Sequence, residues 1–174
     1  MTAFTASPAP HLHSEDSTRR IMLDVIIALL PAVLTSVWLF GWRALCLELI
    51  CVAACIAAEY LSCVVLKKPS SVRDLSCIVT GLLLAFNLPA TIAWWKAVLG
   101  CVVAIVVVKM MFGGIGHNFV NPALIGRIVL MGSFPADMNS WPLPLPGASA
   151  DTVAAATPLE MMGSEALTTE YPLW

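Results

Sequence analysis

Two stretches of this chain combine residue types that could do chemistry. The first is Gly113-Gly-Ile-Gly-His-Asn-Phe-Val-Asn-Pro-Ala-Leu-Ile-Gly-Arg127, a glycine-rich break between apolar runs. Gly113, Gly114 and Gly116 allow positive φ or close approach of backbone to a flat ring. His117, Asn118 and Asn121 add donors and acceptors suited to an isoalloxazine or a carbonyl edge. Asn121-Pro122 is a good helix start, a cap followed by proline at the first helical position. The amide end of such a helix favours anionic or electron-rich groups. The same residues also suit a packed inter-helix turn with His117 as a cap, and the chemistry alone leaves both readings open. The second stretch is Asp151-Thr-Val-Ala-Ala-Ala-Thr-Pro-Leu159. The glycine spacing in the first stretch fits neither a dinucleotide-binding fingerprint nor a P-loop.

The elements that must hold these stretches lie in a bilayer. The chain of 174 residues is 59% hydrophobic and 11% charged, whereas soluble domains are about one quarter charged. Irregular backbone between apolar helices is tolerated only where protein or water satisfies it, and broken helices of this kind build ion and cofactor sites. The first apolar run follows a polar leader with no small-residue cleavage site, so no cleaved signal peptide is expected.

The expected fold is all-α: a polytopic membrane protein with about five transmembrane segments, some of them discontinuous. Residues 1–16 read as a polar leader, 17–135 as the membrane domain and 136–174 as an extracytoplasmic segment. The spans are expected at Ile21–Gly41, Ala44–Leu66, Leu75 to about Leu88, Ala97–Phe112 and Ala123–Pro135. The third and fifth are short for a crossing that takes roughly 20 residues. Trp38, Trp42, Trp94 and Trp95 read as interfacial anchors. Trp141-Pro-Leu-Pro-Leu-Pro146 reads as an extended linker.

Charge placement gives an orientation. Arg19, Arg20, Lys67, Lys68, Arg73, Lys109 and Arg127 fall on one side, and only Arg43 and Lys96 on the other. The positive-inside rule makes the first side cytoplasmic. Five crossings then place everything after Pro135 outside.

The carboxylates within or near apolar runs are Asp24, Glu48 and Glu59. Asp24 is four residues from Arg20 and is expected to pair with it; Glu48 and Glu59 are expected near the interfaces, with ion passage as the alternative. Six cysteines lie in apolar runs without C-x-x-C spacing and read as small buried residues rather than a metal or thiolate site. No catalytic residue and no metal-ligand set is assigned. The net charge of −2 and the lack of a basic cluster argue against a nucleic-acid partner.

Gly113–Arg127 resembles the loop of a membrane flavoprotein family. That family includes the D subunit of the Rnf/Rsx ion-translocating oxidoreductase and the B subunit of the sodium-translocating NADH:quinone reductase. Ser17-Thr-Arg-Arg-Ile-Met-Leu-Asp24 and Gly81-Leu-Leu-Leu-Ala-Phe-Asn-Leu-Pro89 are similar to the family too, and the likeness runs in order from about Ser17 to Leu159. The resemblance implies covalent FMN, joined by a phosphoester to the last threonine of a signature that Asp151, Ala156 and Thr157 match. Ala154 and Ala155 depart from it, standing where the family has Ser or Thr and then Gly. A threonine hydroxyl needs activation and no neighbour supplies a base, so a separate flavin transferase is implied, acting outside the cytoplasm. The resemblance further implies other complex subunits as partners, a bacterial cytoplasmic membrane location, electron relay between ferredoxin and NAD coupled to Na⁺ or H⁺, and room for a second, non-covalent flavin. Family members are longer and repeat the five-helix unit, so this chain corresponds to one unit. A non-redox channel or transporter subunit and an inactive fragment are the competing readings.

Overall fold

In the computed structural model, residues 17–67, 71–118 and 120–142 are described. Helix α1, Thr18–Phe40, starts where the Ser17 side chain accepts from Arg20 N at 3.3 Å. It ends at Gly41, whose φ of 74° turns the chain back within one residue. Helix α2, Trp42–Val65, follows at once. At ~1.5 Å per residue both helices exceed the ~30 Å hydrocarbon core. Their mean hydropathies, 2.2 and 2.0 over the best windows, fit such a crossing.

The other helices are shorter. A 3₁₀ turn, Val72–Asp74, leads to α3, Ser76–Phe86, which is 11 residues long and reaches only ~16 Å. Helix α4, Trp94–Val102, continues as a π-helix over Val103–Met110. Helix α5, Pro122–Ser133, has 12 residues, and the single turn α6, Pro135–Asn139, closes the described region. The fold is all-α, with no strand among the described residues. The broken third and fifth segments are as expected from their length and their Asn, Gly and Pro boundaries.

Helix α2 is the hub, touching α1, α3, α4 and the π segment. Its buried residues include Ala44, Leu47, Glu48, Cys51, Cys55, Ala58, Glu59 and Ser62, a stripe at helical spacing. Small residues set the closest contacts, as in other membrane bundles. A Cβ at Gly81 would lie 2.9 Å from Val52 Cα, so α3 and α2 meet backbone to backbone. A Cβ at Gly126 would lie 2.9 Å from Gly100 O, which brings α5 equally close to α4. The cysteines serve the same contacts: Cys51, Cys55, Cys77 and Cys101 are all fully buried.

The exterior is apolar. Helix α1 buries none of its residues, and Leu34 is 71% exposed. At one end, Arg43 Nη2 donates to Thr91 O at 2.9 Å and Thr91 Oγ1 donates to Ser140 O at 3.0 Å. These contacts gather the Gly41 turn, the α3–α4 connection and the chain after α6. Trp38, Trp42, Trp94, Trp95 and Trp141 are exposed around that end, as an interfacial belt requires.

Three sequence expectations change. Lys109 is not a flanking charge but lies in the bundle at 2% exposure, and half-buried Arg127 donates to Asn87 Oδ1 at 2.9 Å. Glu48 and Glu59 are 4% and 0% exposed, buried by helix packing, with Glu48 near the belt end as its place at the start of the second span implies. Asp24 is exposed on α1 and forms no ion pair with Arg20. Their spacing of four residues permits a pair, but no contact between the two side chains is present.

Candidate functional site

The glycine-rich break is a tightly built loop. The π segment ends with Met111 N donating to Val106 O at 3.1 Å and Gly114 N to Lys109 O at 2.9 Å. Gly113, Gly114 and Gly116 have φ of 115°, 101° and 82°, the positive values their clustering predicts. His117 N donates to Gly114 O at 3.2 Å, and its Nδ1 lies 3.4 Å from Ile115 O. The imidazole packs over Gly113, where a Cβ would come within 3.4 Å of His117 Cβ and Cγ. Asn118 Nδ2 donates to Val120 O at 2.9 Å. Asn121 Oδ1 accepts from Ala123 N at 3.0 Å, the cap that Asn121-Pro122 foretells.

The structure therefore brings Gly113, Gly114, Gly116, His117, Asn118 and Asn121 into one loop at the start of α5. His117 stays exposed between exposed Gly116 and Gly113, so an imidazole stands beside backbone that carries no side chain. A flat ring can lie on such a surface. Asp151, Ala156 and Thr157 lie outside the described residues.

Directly behind the loop, the last turn of the π segment carries a centre that sequence reasoning missed. Lys109 Nζ lies 2.6 Å from Glu59 Oε2 on α2 and donates to Ser76 Oγ on α3 at 2.7 Å. The other carboxylate oxygen, Glu59 Oε1, accepts from Ser71 Oγ at 2.5 Å. Both charges are thus removed from solvent and almost fully hydrogen-bonded, the condition under which a buried pair is tolerated. Val108, Lys109 and Met110 of the π segment all lie in the interior, at 4%, 2% and 3% exposure. Such π segments cluster at functional sites. The sequence signal was an acid and a base each buried in apolar runs; their pairing across 50 residues was not readable.

At the opposite end, Lys96 pairs with Asp137 and sits 4.7 Å from the Phe134 ring centroid. Trp95 meets Phe134 edge-on at 5.4 Å. Together they fasten α6 to the start of α4.

Apolar exterior, broken helices, an aromatic belt and a buried ion pair define a polytopic membrane protein. Comparison with known proteins narrows the class: residues 5–173 match the model of the NQR2, RnfD, RnfE family, and the chain belongs to that family. It is 48% identical over 159 residues to the D subunit of the Na(+)-translocating ferredoxin:NAD(+) oxidoreductase complex of Acetobacterium woodii, a match covering 91% of this chain and 49% of that one. It is 41% identical over 140 residues to the D subunit of the ion-translocating oxidoreductase complex of Citrobacter koseri, covering 79% and 40%. The Escherichia coli protein of the same name is 39% identical over the same length. The chain thus spans about half or less of the length of these relatives.

Proposed function

We propose that this chain is a membrane subunit of an ion-translocating electron-transport complex of the Rnf type. In this reading it holds FMN covalently at Thr157, through a phosphoester on the threonine oxygen. With partner subunits it relays electrons between ferredoxin and NAD, coupled to movement of Na⁺ or H⁺. The observation that carries the reading is the family match, which runs through residues 5–173 and so includes Asp151, Ala156 and Thr157. The relatives' names supply the complex, its substrates and its ion translocation.

When bound, FMN supplies one- and two-electron redox chemistry; the chain positions it and tunes its surroundings. Thr157 provides the tether. The exposed His117 imidazole and the open backbone at Gly116 offer a face for a ring, while Asn121 fixes the amide end of α5 beneath it. The loop adjoins Lys109, Glu59 and Ser71, at the end opposite the tryptophan belt. With a cytoplasmic N-terminus, that face suits a second, non-covalent flavin, and the flavin on Thr157 lies on the other side.

For orientation, exposed Arg19, Arg20, Lys67 and Arg73, with Lys68 in sequence, stand at the end opposite Arg43 and Lys96. With Lys109 and Arg127 removed from the count, the asymmetry is five to two and still favours a cytoplasmic N-terminus. Residues after α6 then face the outer compartment, where a flavin transferase has access to Thr157.

The test is in-gel fluorescence of the denatured chain after co-expression with a flavin transferase. A flavin signal that Thr157→Ala abolishes supports the reading. A dark wild-type chain rejects it and leaves the channel or transporter reading in its place.

A further inference from the structure

A second buried carboxyl sits near the tryptophan belt, apart from the Glu59 centre. Glu48 is 4% exposed on α2, six residues after Trp42 and hence ~9 Å along the axis from the Gly41 turn. Its Oε1 contacts Ser36 Oγ of α1. Its Oε2 is buried and has no hydrogen-bond partner among the described residues. Glu48 and Ser36 line a cavity of about 90 Å³ with Phe40, Phe86, Leu88 and Trp141, large enough to admit water.

Ionised, Glu48 would be a lone charge in an apolar wall, which is far costlier than a neutral acid. Lys96, Arg43 and Asp137, the charged groups at this end, do not line the cavity, and neither does any other titratable side chain among the described residues. Hydrogen counting points the same way. Ser36 Oγ has two acceptors in reach, Val33 O at 2.9 Å and Glu48 Oε1. One hydroxyl hydrogen serves only one of them at a time; a hydrogen on the carboxyl fills the second.

We propose that Glu48 and Ser36 form a proton-binding station that exchanges with water through the Trp141 cavity. Binding takes one proton from water onto the carboxylate, and release returns it; no other bond changes. A metal cation fits the site poorly. Hard cations take about six or more oxygens, whereas the side chains here offer those of Ser36 and Glu48. The station stands apart from the flavin assignment and does not depend on it.

The test is infrared difference spectroscopy of the full chain in lipid vesicles. A neutral-carboxyl C=O stretching band is expected that shifts in D₂O, disappears in Glu48→Gln and moves in Ser36→Ala, while added NaCl leaves it in place. If Glu48→Gln does not fold, the Ser36→Ala shift carries the assignment. Finding only ionised-carboxylate bands that respond to these substitutions overturns the proposal. So does loss of the neutral band on adding Na⁺, which would identify a cation site instead.

Discussion

Lys109 and Glu59 meet 2.6 Å apart at a point where the π segment, α2 and α3 converge, sealed from both water and lipid. The pair ties the π segment, which leads into the glycine loop, to α2 and α3. Its ions are individually too costly to bury and jointly tolerable, so its two members must be considered as a unit.

Removing one partner strands the other. Lys109→Met leaves the Glu59 carboxylate buried with only Ser71 on it, at an expected cost of about 3–5 kcal/mol. The double variant Lys109→Met with Glu59→Leu should recover most of that loss. Thermal unfolding of the detergent-solubilised protein checks both, and single and double variants of equal stability would refute the coupling.

Helix contact through glycine makes a sharp contrast within α5. Gly126→Ala forces a Cβ to 2.9 Å from Gly100 O, and overpacking of this kind costs about 1–3 kcal/mol. Gly132 has open space around its Cβ direction, so Gly132→Ala should be neutral or stabilise by up to about 1 kcal/mol. The melting temperatures of the two variants should therefore move apart.

The cap of α5 is a smaller effect with a clear sign. Asn121→Ala removes the acceptor that holds Ala123 N at 3.0 Å, for an expected loss of about 1 kcal/mol. Asn121→Asp keeps an acceptor and should stay within a few tenths of a kcal/mol of the parent. Denaturation midpoints compare the three.

How much of this was legible in the sequence follows from the range of the interactions. Gly41, the glycines of the loop and Asn121-Pro122 act within a turn of themselves, and each does what its residue type implies. The short third and fifth segments were readable because Asn87 and the residues flanking α5 interrupt apolar runs locally. Lys109 was misplaced because its inward aim depends on partners from α2 and α3, which apolar periodicity along one segment does not encode. Its partner Glu59, and the contacts of Gly81 and Gly126, depend on which helices become neighbours. Asp24 shows the converse: spacing made a pair with Arg20 possible, and the structure does not form it.

Orientation can be read by labelling. Ser140→Cys lies at the belt end and Arg73→Cys at the opposite end, while the native Cys51, Cys55, Cys77 and Cys101 are fully buried. In intact cells a membrane-impermeant thiol reagent should modify position 140 above the wild-type background and leave position 73 unmodified until lysis. The reverse pattern would place residues after α6 in the cytoplasm.

The central claim is tested most directly by peptide mass spectrometry of the chain recovered from its native membrane. The account expects the peptide spanning Asp151–Leu159 to carry one FMN, with fragmentation locating the phosphoester on Thr157. That peptide recovered wholly unmodified, or an FMN found on another residue, would contradict it.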